Sequence, residues 1–300
     1  MYVKLKQELA SLKSKILESS SQIREEEGRV REYWRSYTPN PFQCTALATD
    51  GGKFVYETRS AVLYAVDAAS YSCRTGKCSQ VSSSSIVDVM RPGNKARKRV
   101  DTLMEILEIK LSLESYKGEE IVLMDGSVRS PFKNSESYAT ELRFLSARLI
   151  HELGSKVLWV SKNSRLSTLF GSELSDVTLL EILTKGVGYT IPVSKRFEVN
   201  DGLEDQIRDF LESKRYYVTY LRLEPGARVL RVETSEEPST KDIERWIDCM
   251  SSVSVKGYPY PLLAVHRAVK IDKVDRERLL NALAVKRTRI SSWWPRQLES

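Results

Sequence analysis

From residue 44 onward the apolar residues fall into short β-branched and aromatic runs that alternate with stretches of helical spacing, and this alternation limits the chain to very few architectures. Thr45 to Thr49, Lys53 to Val66, Ser85 to Val89, Glu120 to Met124 and Lys156 to Val160 read as strands, with Asp50-Gly51-Gly52 as the turn between the first two, and Tyr216 to Leu223 with Arg228 to Val232 as a hairpin around Pro225-Gly226. Helical spacing joins Val100, Leu103, Met104, Leu107 and Leu111 within Asn94 to Ser115. It returns over Ser135 to Leu153, Thr240 to Met250, Pro261 to Val269 and Asp272 to Lys286. The compact run ending at Met124 suits a strand buried on both faces. The predicted class is therefore α/β, a mixed central sheet flanked by helices.

Ahead of this region, Leu5, Leu9, Leu12, Ile16, Ile23 and Val30 repeat in a four-three alternation that predicts one helix over residues 2–35. Tyr37-Thr38-Pro39-Asn40-Pro41 ends it, because proline cannot continue a helix. Ser19 and Glu26 interrupt the seam, so the stripe suits another surface or a partner chain better than a free coiled coil, with the protein's own core as the alternative. The expected organisation is an N-terminal helix (1–36), a core (37–270) and a C-terminal helix with a basic, aromatic tail (271–300).

A net charge of +7 permits a polyanionic partner but equally serves solubility. With no run near the ~18 apolar residues of a membrane span and no signal-peptide core at Met1 to Ala10, a soluble intracellular protein is expected. The 4 cysteines are expected as reduced thiols, with a Cys73–Cys78 disulfide, or zinc bound with Cys44 and Cys249, as alternatives. Neither a Gly-x4-Gly-Lys-Ser/Thr phosphate loop nor a GxGxxG motif occurs, so any ATP-driven strand separation must come from another protein.

Chemistry is suggested by two Asp-Gly pairs, Asp50-Gly51 and Asp125-Gly126, each placed where a predicted strand ends. Carboxylates there point into the crevice in which α/β sheets hold ligands, although Asp-Gly is also good turn sequence. On the helix between them Glu108 borders the apolar stripe, whereas Glu105 is expected to face solvent; a bound cation would explain Glu108 there, and so would a carboxylate reaching past the stripe to water. His266 sits in a helix begun by Pro261, as a metal ligand or a core histidine, and His151 reads as a capping cation. Arg91, Lys95, Arg97, Lys98 and Arg99 form an acid-free basic cluster, and Lys286, Arg287, Arg289 and Arg296 flank Trp293-Trp294. Both suit nucleic acid and both suit ordinary surface.

In order along the chain, Ala48-Thr49-Asp50-Gly51-Gly52, Leu107-Glu108, Ile121 to Ser127, Val160-Ser161-Lys162-Asn163-Ser164 and Tyr258-Pro259-Tyr260-Pro261 through His266 resemble the NurA nuclease family of archaea. The resemblance implies an RNase H-like core and a manganese-dependent enzyme, with magnesium less favoured, that degrades single- and double-stranded DNA. It implies 5′-to-3′ exonuclease and single-strand endonuclease activity in end resection and recombinational repair, as a homodimer beside a hexameric HerA-type translocase. Carried over by position, Asp50, Glu108, Asp125 and His266 are the implied metal ligands and catalytic residues. Lys162, with Arg97, Lys98, Arg99, Lys286, Arg287 and Arg289, would meet DNA in a cytoplasmic, nucleoid-associated setting. A catalytically silent DNA-binding or assembly subunit, and an RNase H-like enzyme acting on RNA, remain the alternatives.

Overall fold

The computed structural model describes residues 26–75 and 77–282; the stripe from Leu5 to Ile23 and the tail carrying Lys286, Arg287 and Arg289 lie outside them. Helix α1 is described over 26–33 and stops before residue 35, because Trp34–Ser36 forms strand β1. Pairing with β7 (Gly188–Thr190) and the seat of Trp34 against Gly188 outweigh local helix propensity there. Val30, the described end of the stripe, is 1% exposed and packs in this chain's own core.

Five strands build the centre: β2 (Thr45–Glu57), β3 (Val62–Arg74), β4 (Lys77–Met90), β5 (Ile121–Asp125) and β6 (Val157–Ser161). Their order is β4-β3-β2-β5-β6, with β2, β3 and β4 antiparallel and β5 and β6 parallel to β2. This is an RNase H-like sheet, and the α/β expectation holds. The parallel connections run through helices α2 (Ala96–Ser115) and α3 (Thr140–Leu153), as parallel pairing requires. Beyond β6 the sheet continues through β10 (Leu230–Thr234) and β9 (Arg215–Arg222) to β7 and β1, with β8 (Val193–Arg196) also pairing with β9.

Both faces are covered. Leu47, Val122 and Met124 pack with Ile106 and Ile109 of α2, Leu142 and Leu149 of α3, Leu179 and Leu180 of α4 (Asp176–Leu183), and Ile207 and Leu211 of α5 (Asp205–Ser213). Their strand neighbours Ala46, Ala48, Ile121 and Leu123 pack on the other face. There they meet Ile243, Trp246 and Met250 of α6 (Thr240–Ser252) and Leu262 and Val265 of α7 (Tyr260–Ala268). The continuous apolar run before Asp125 is thus explained by burial on two sides.

Two expectations are corrected. Asp50-Gly51-Gly52 is not a turn: β2 runs straight through it, and the reversal comes at Thr58 to Ala61, closed by the Thr58 N–H to Ala61 carbonyl bond of 2.8 Å. The glycines are required by close neighbours, since a Cβ on Gly51 would lie 2.5 Å from Glu108 Oε1, and one on Gly52 1.8 Å from the Val269 carbonyl oxygen. Nor are the cysteines reduced. Cys73 and Cys78 are paired across the β3–β4 hairpin, and Cys44, just before β2, is bonded to Cys249 of α6, leaving no free cysteine among the described residues.

Candidate active site

Parallel pairing sets the geometry from the backbone upward. Thr49 of β2 is registered opposite Met124 of β5, so Asp50 and Asp125 follow at neighbouring positions where β5 ends. Gly126, at φ +109°, turns the chain away from the sheet immediately afterwards, a conformation that glycine adopts freely. Both aspartates share the strand parity of Ala48 and Leu123, the face covered by α7. Asp50 is 9% exposed, whereas Asp125 opens onto a cleft.

That cleft has a volume of about 320 Å³, and its wall includes Asp50, Glu105, Glu108 and Asp125. Helix α2 supplies the two glutamates one turn apart. Glu108 reaches over the bare backbone of Gly51. Contrary to the sequence expectation Glu105 is half-buried on the same wall, because α2 packs across β2 and β3 and turns this side of the helix toward the cleft.

From the opposite side comes the hairpin of β11 (Ser254–Val255) and β12 (Tyr258–Pro259). Its turn residues Lys256 and Gly257 both have positive φ, as a type I′ turn demands, and they deliver the chain into α7. Within α7, Leu262 and Val265 are buried, and His266 projects into solvent with its side chain 56% exposed. His266 is therefore not a core histidine. Its Nδ1 lies 2.7 Å from Asp50 Oδ2, which leaves Nε2 as the atom free for a ligand or a proton. Tyr258, absent from the set inferred from sequence, stands beside the site: burial and the charges of Asp125 and Asp50 raise its hydroxyl pKa. Its ring lies 5.2 Å from Lys162 Nζ. Only its place in the Tyr-Pro-Tyr-Pro segment hinted at this.

Electrostatically the cleft is over-supplied with acid. Burial raises the carboxyl pKa of Asp50, against the bonds from His266 and from the Gly51 N–H (2.9 Å). The protein around Asp125 raises its pKa even at the open cleft, against Lys162 and His266. Burial also raises Glu105, and it raises Glu108 furthest, reinforced by the charges of Asp50, Glu105 and Asp125. Among the described residues no three His, Cys, Asp or Glu side chains close on one point as a ready-made ion cage. The donor set nevertheless fits a divalent cation, because hard oxygens with one imidazole crowd at a place where their own repulsion disfavours ionisation.

A stability consequence follows with a definite sign. Raised native pKa values mean that the metal-free fold binds protons more readily than the unfolded chain, so stability falls as pH climbs from the ordinary carboxylate range through the raised values. Glu108→Gln removes the most strained charge. In chelator at neutral pH it should raise stability by about 1 kcal/mol, or ~2–4 °C in Tm, with the gain shrinking as pH approaches 4. Calorimetric melts across pH check this, and a lower Tm at neutral pH would contradict it.

The turn after Asp125 is held from behind. Glu233 of β10, 1% exposed, accepts the Ser127 hydroxyl at 2.6 Å and the Val128 N–H at 3.1 Å. The basic cluster lies on the first turns of α2: Arg97 pairs with Glu57 at 2.7 Å, Arg99 stacks over Tyr138 and Lys98 is exposed. Lys98 lines a second cleft of about 360 Å³ that shares Glu105 with the first. Lys162 follows β6 on the other flank, and His151 occupies the last turn of α3 as expected.

A family model described as the NurA domain matches residues 44–271. A curated relative from Sulfurisphaera tokodaii, named DNA double-strand break repair nuclease NurA, is 32% identical over 325 residues, spanning 98% of this chain and 96% of its own. The crystal structure of the NurA nuclease from Sulfolobus solfataricus matches with a TM-score of 0.83 at 29% identity, over 97% of this chain and 99% of that one. A NurA crystallised with manganese shares the fold at TM-score 0.65 and 14% identity, over 92% of this chain and 98% of its own.

Proposed function

This chain belongs to the NurA family, and from that premise we propose that it is a metal-dependent DNA nuclease of double-strand break repair whose site is Asp50, Glu108, Asp125 and His266. The observation that carries the reading is the convergence, at the end of one parallel strand pair, of acidic groups from three elements with too few cations to balance them. Asp50, Glu108 and Asp125 would hold the cation, and His266 would join them through Nε2 while its Nδ1 stays on Asp50. When bound, divalent metal makes water nucleophilic and stabilises the leaving oxygen of a phosphodiester. An imidazole among carboxylates favours manganese over magnesium.

Around that centre the protein's own groups orient the substrate. Lys98, lining the cleft on one flank, and Lys162, lining the cleft on the other, would receive phosphates on either side of the scissile one. We further assign 5′-to-3′ exonuclease and single-strand endonuclease activity, a homodimeric state and partnership with a hexameric HerA-type translocase. The last assignment agrees with the lack of a phosphate loop in this chain.

The test is degradation of end-labelled DNA and RNA with manganese, magnesium or chelator. Cleavage of DNA only when metal is present is expected, with a faster rate in manganese. His266→Ala should raise the manganese needed for half-maximal rate by about tenfold. Metal-independent cleavage, or none, would defeat the reading, and preference for RNA would replace DNA as the substrate. An unchanged manganese titration would remove His266 from the ligand set.

A further inference from the structure

Next to the carboxylate cleft lies another of about 460 Å³, between the segment following β6 and strand β10; Asp125 and Ser127 line both. Its wall includes Lys162, Arg165 and Arg231. Arg231 is 2% exposed, yet it is held in place on three sides. Its Nε donates to Glu233 Oε1 at 2.7 Å, and its Nη1 donates to Thr168 Oγ1 at 2.7 Å and to the Tyr220 hydroxyl at 2.9 Å. The remaining nitrogen, Nη2, is buried without a hydrogen-bond partner among the described residues.

A buried guanidinium edge without an acceptor is costly and rare, and needs an explanation. Glu233 does not reach this edge: its Oε1 meets Arg231 through Nε alone, and its Oε2 faces the Ser127 hydroxyl and the Val128 N–H. What Nη2 lacks is an acceptor, and an anion with several oxygens would supply one while meeting Lys162 and Arg165, both exposed at the same cleft. Resting on the nuclease reading above, we infer that this cleft is a phosphate subsite, which grips a phosphate of the substrate strand beside the one being cleaved. That phosphate is either the strand's terminal 5′-phosphate or an internal phosphodiester.

The full-length protein in chelator, titrated by anisotropy with single-stranded oligonucleotides carrying a 5′-phosphate or a 5′-hydroxyl, reads the subsite without catalysis. Arg165→Gln is expected to weaken binding roughly fivefold to tenfold. A loss confined to the 5′-phosphorylated strand identifies the terminal phosphate, and an equal loss on both identifies an internal one; either supports the subsite. Arg231→Lys, which keeps the charge but loses the fork, should weaken the same complex further when its melt shows a folded protein; where it does not fold, Arg165→Gln decides alone. Unchanged affinity for both strands in Arg165→Gln overturns the proposal. Failure of the nuclease reading looks different: wild-type protein would bind both strands and cleave neither in manganese.

Discussion

Asp125→Asn is expected to slow DNA hydrolysis on the order of a thousandfold or more while leaving the protein folded and able to bind DNA. That loss corresponds to about 4 kcal/mol of transition-state stabilisation, within reach of a carboxylate that helps to hold a catalytic cation. Asp125 is a cleaner target than Asp50. Asp50 is 2.7 Å from His266 and buried in the sheet, so its replacement would disturb the imidazole as well. Asp125 stands at the end of β5 facing the cleft, where asparagine preserves shape and removes only charge. Because the cleft already holds more acid than base, losing one charge should not weaken metal-free DNA binding, and a slight tightening is the direction electrostatics favours. Initial rates over a manganese series, beside anisotropy in chelator, make the measurement. A folded Asp125→Asn protein that cleaves DNA near the wild-type rate would sink the metal-site assignment.

Gly52→Ala is expected to damage the fold itself. The new Cβ would stand 1.8 Å from the Val269 carbonyl oxygen, at the end of α7, and backbone cannot step aside as a flexible side chain can. Either β2 bends or α7 moves outward, and overpacking of this kind costs about 3 kcal/mol, or roughly 6–12 °C in Tm for a domain this size. Since α7 also carries His266, the surviving folded fraction should show a higher manganese requirement, whereas a purely local strain would leave the requirement unchanged. Melts in chelator and a manganese titration separate the two. A Tm within 2 °C of wild type would show that the α7 end yields freely.

The contrast between these sites shows what a sequence discloses and what it hides. Burial on both faces wrote the run before Asp125 as continuous apolar residues, and the helix with Glu108 wrote itself in the spacing of Val100, Leu107 and Leu111, so β5 and α2 were legible. Asp50-Gly51-Gly52 looked like a turn because the usual use of such glycines is local, whereas here they serve neighbours distant in sequence, Glu108 and Val269. Glu105 was misjudged for a similar reason: its burial comes from the cleft wall, not from the helix's own stripe. The serine-rich β4 has an exposed face that shows no apolar alternation, and the pairing of Cys44 with Cys249, 205 residues away, leaves no trace in spacing. His266 had a recognisable motif but no legible orientation until α7 was seen to bury Leu262 and Val265 instead.

The bond between Asp50 and His266 spans 216 residues, and this separation has a consequence for biosynthesis. At roughly 5–20 residues per second, the ribosome needs on the order of 10–45 s after making Asp50 before His266 exists. Throughout that interval the emerging chain can order β2, α2 and β5 with their carboxylates, but the imidazole side of the cleft is missing. The Cys44–Cys249 link closes across nearly the same interval. A nascent or truncated chain lacking α7 would therefore carry the acidic half of the site without the helix that completes it, and competence to cut would arrive only once α7 has been made.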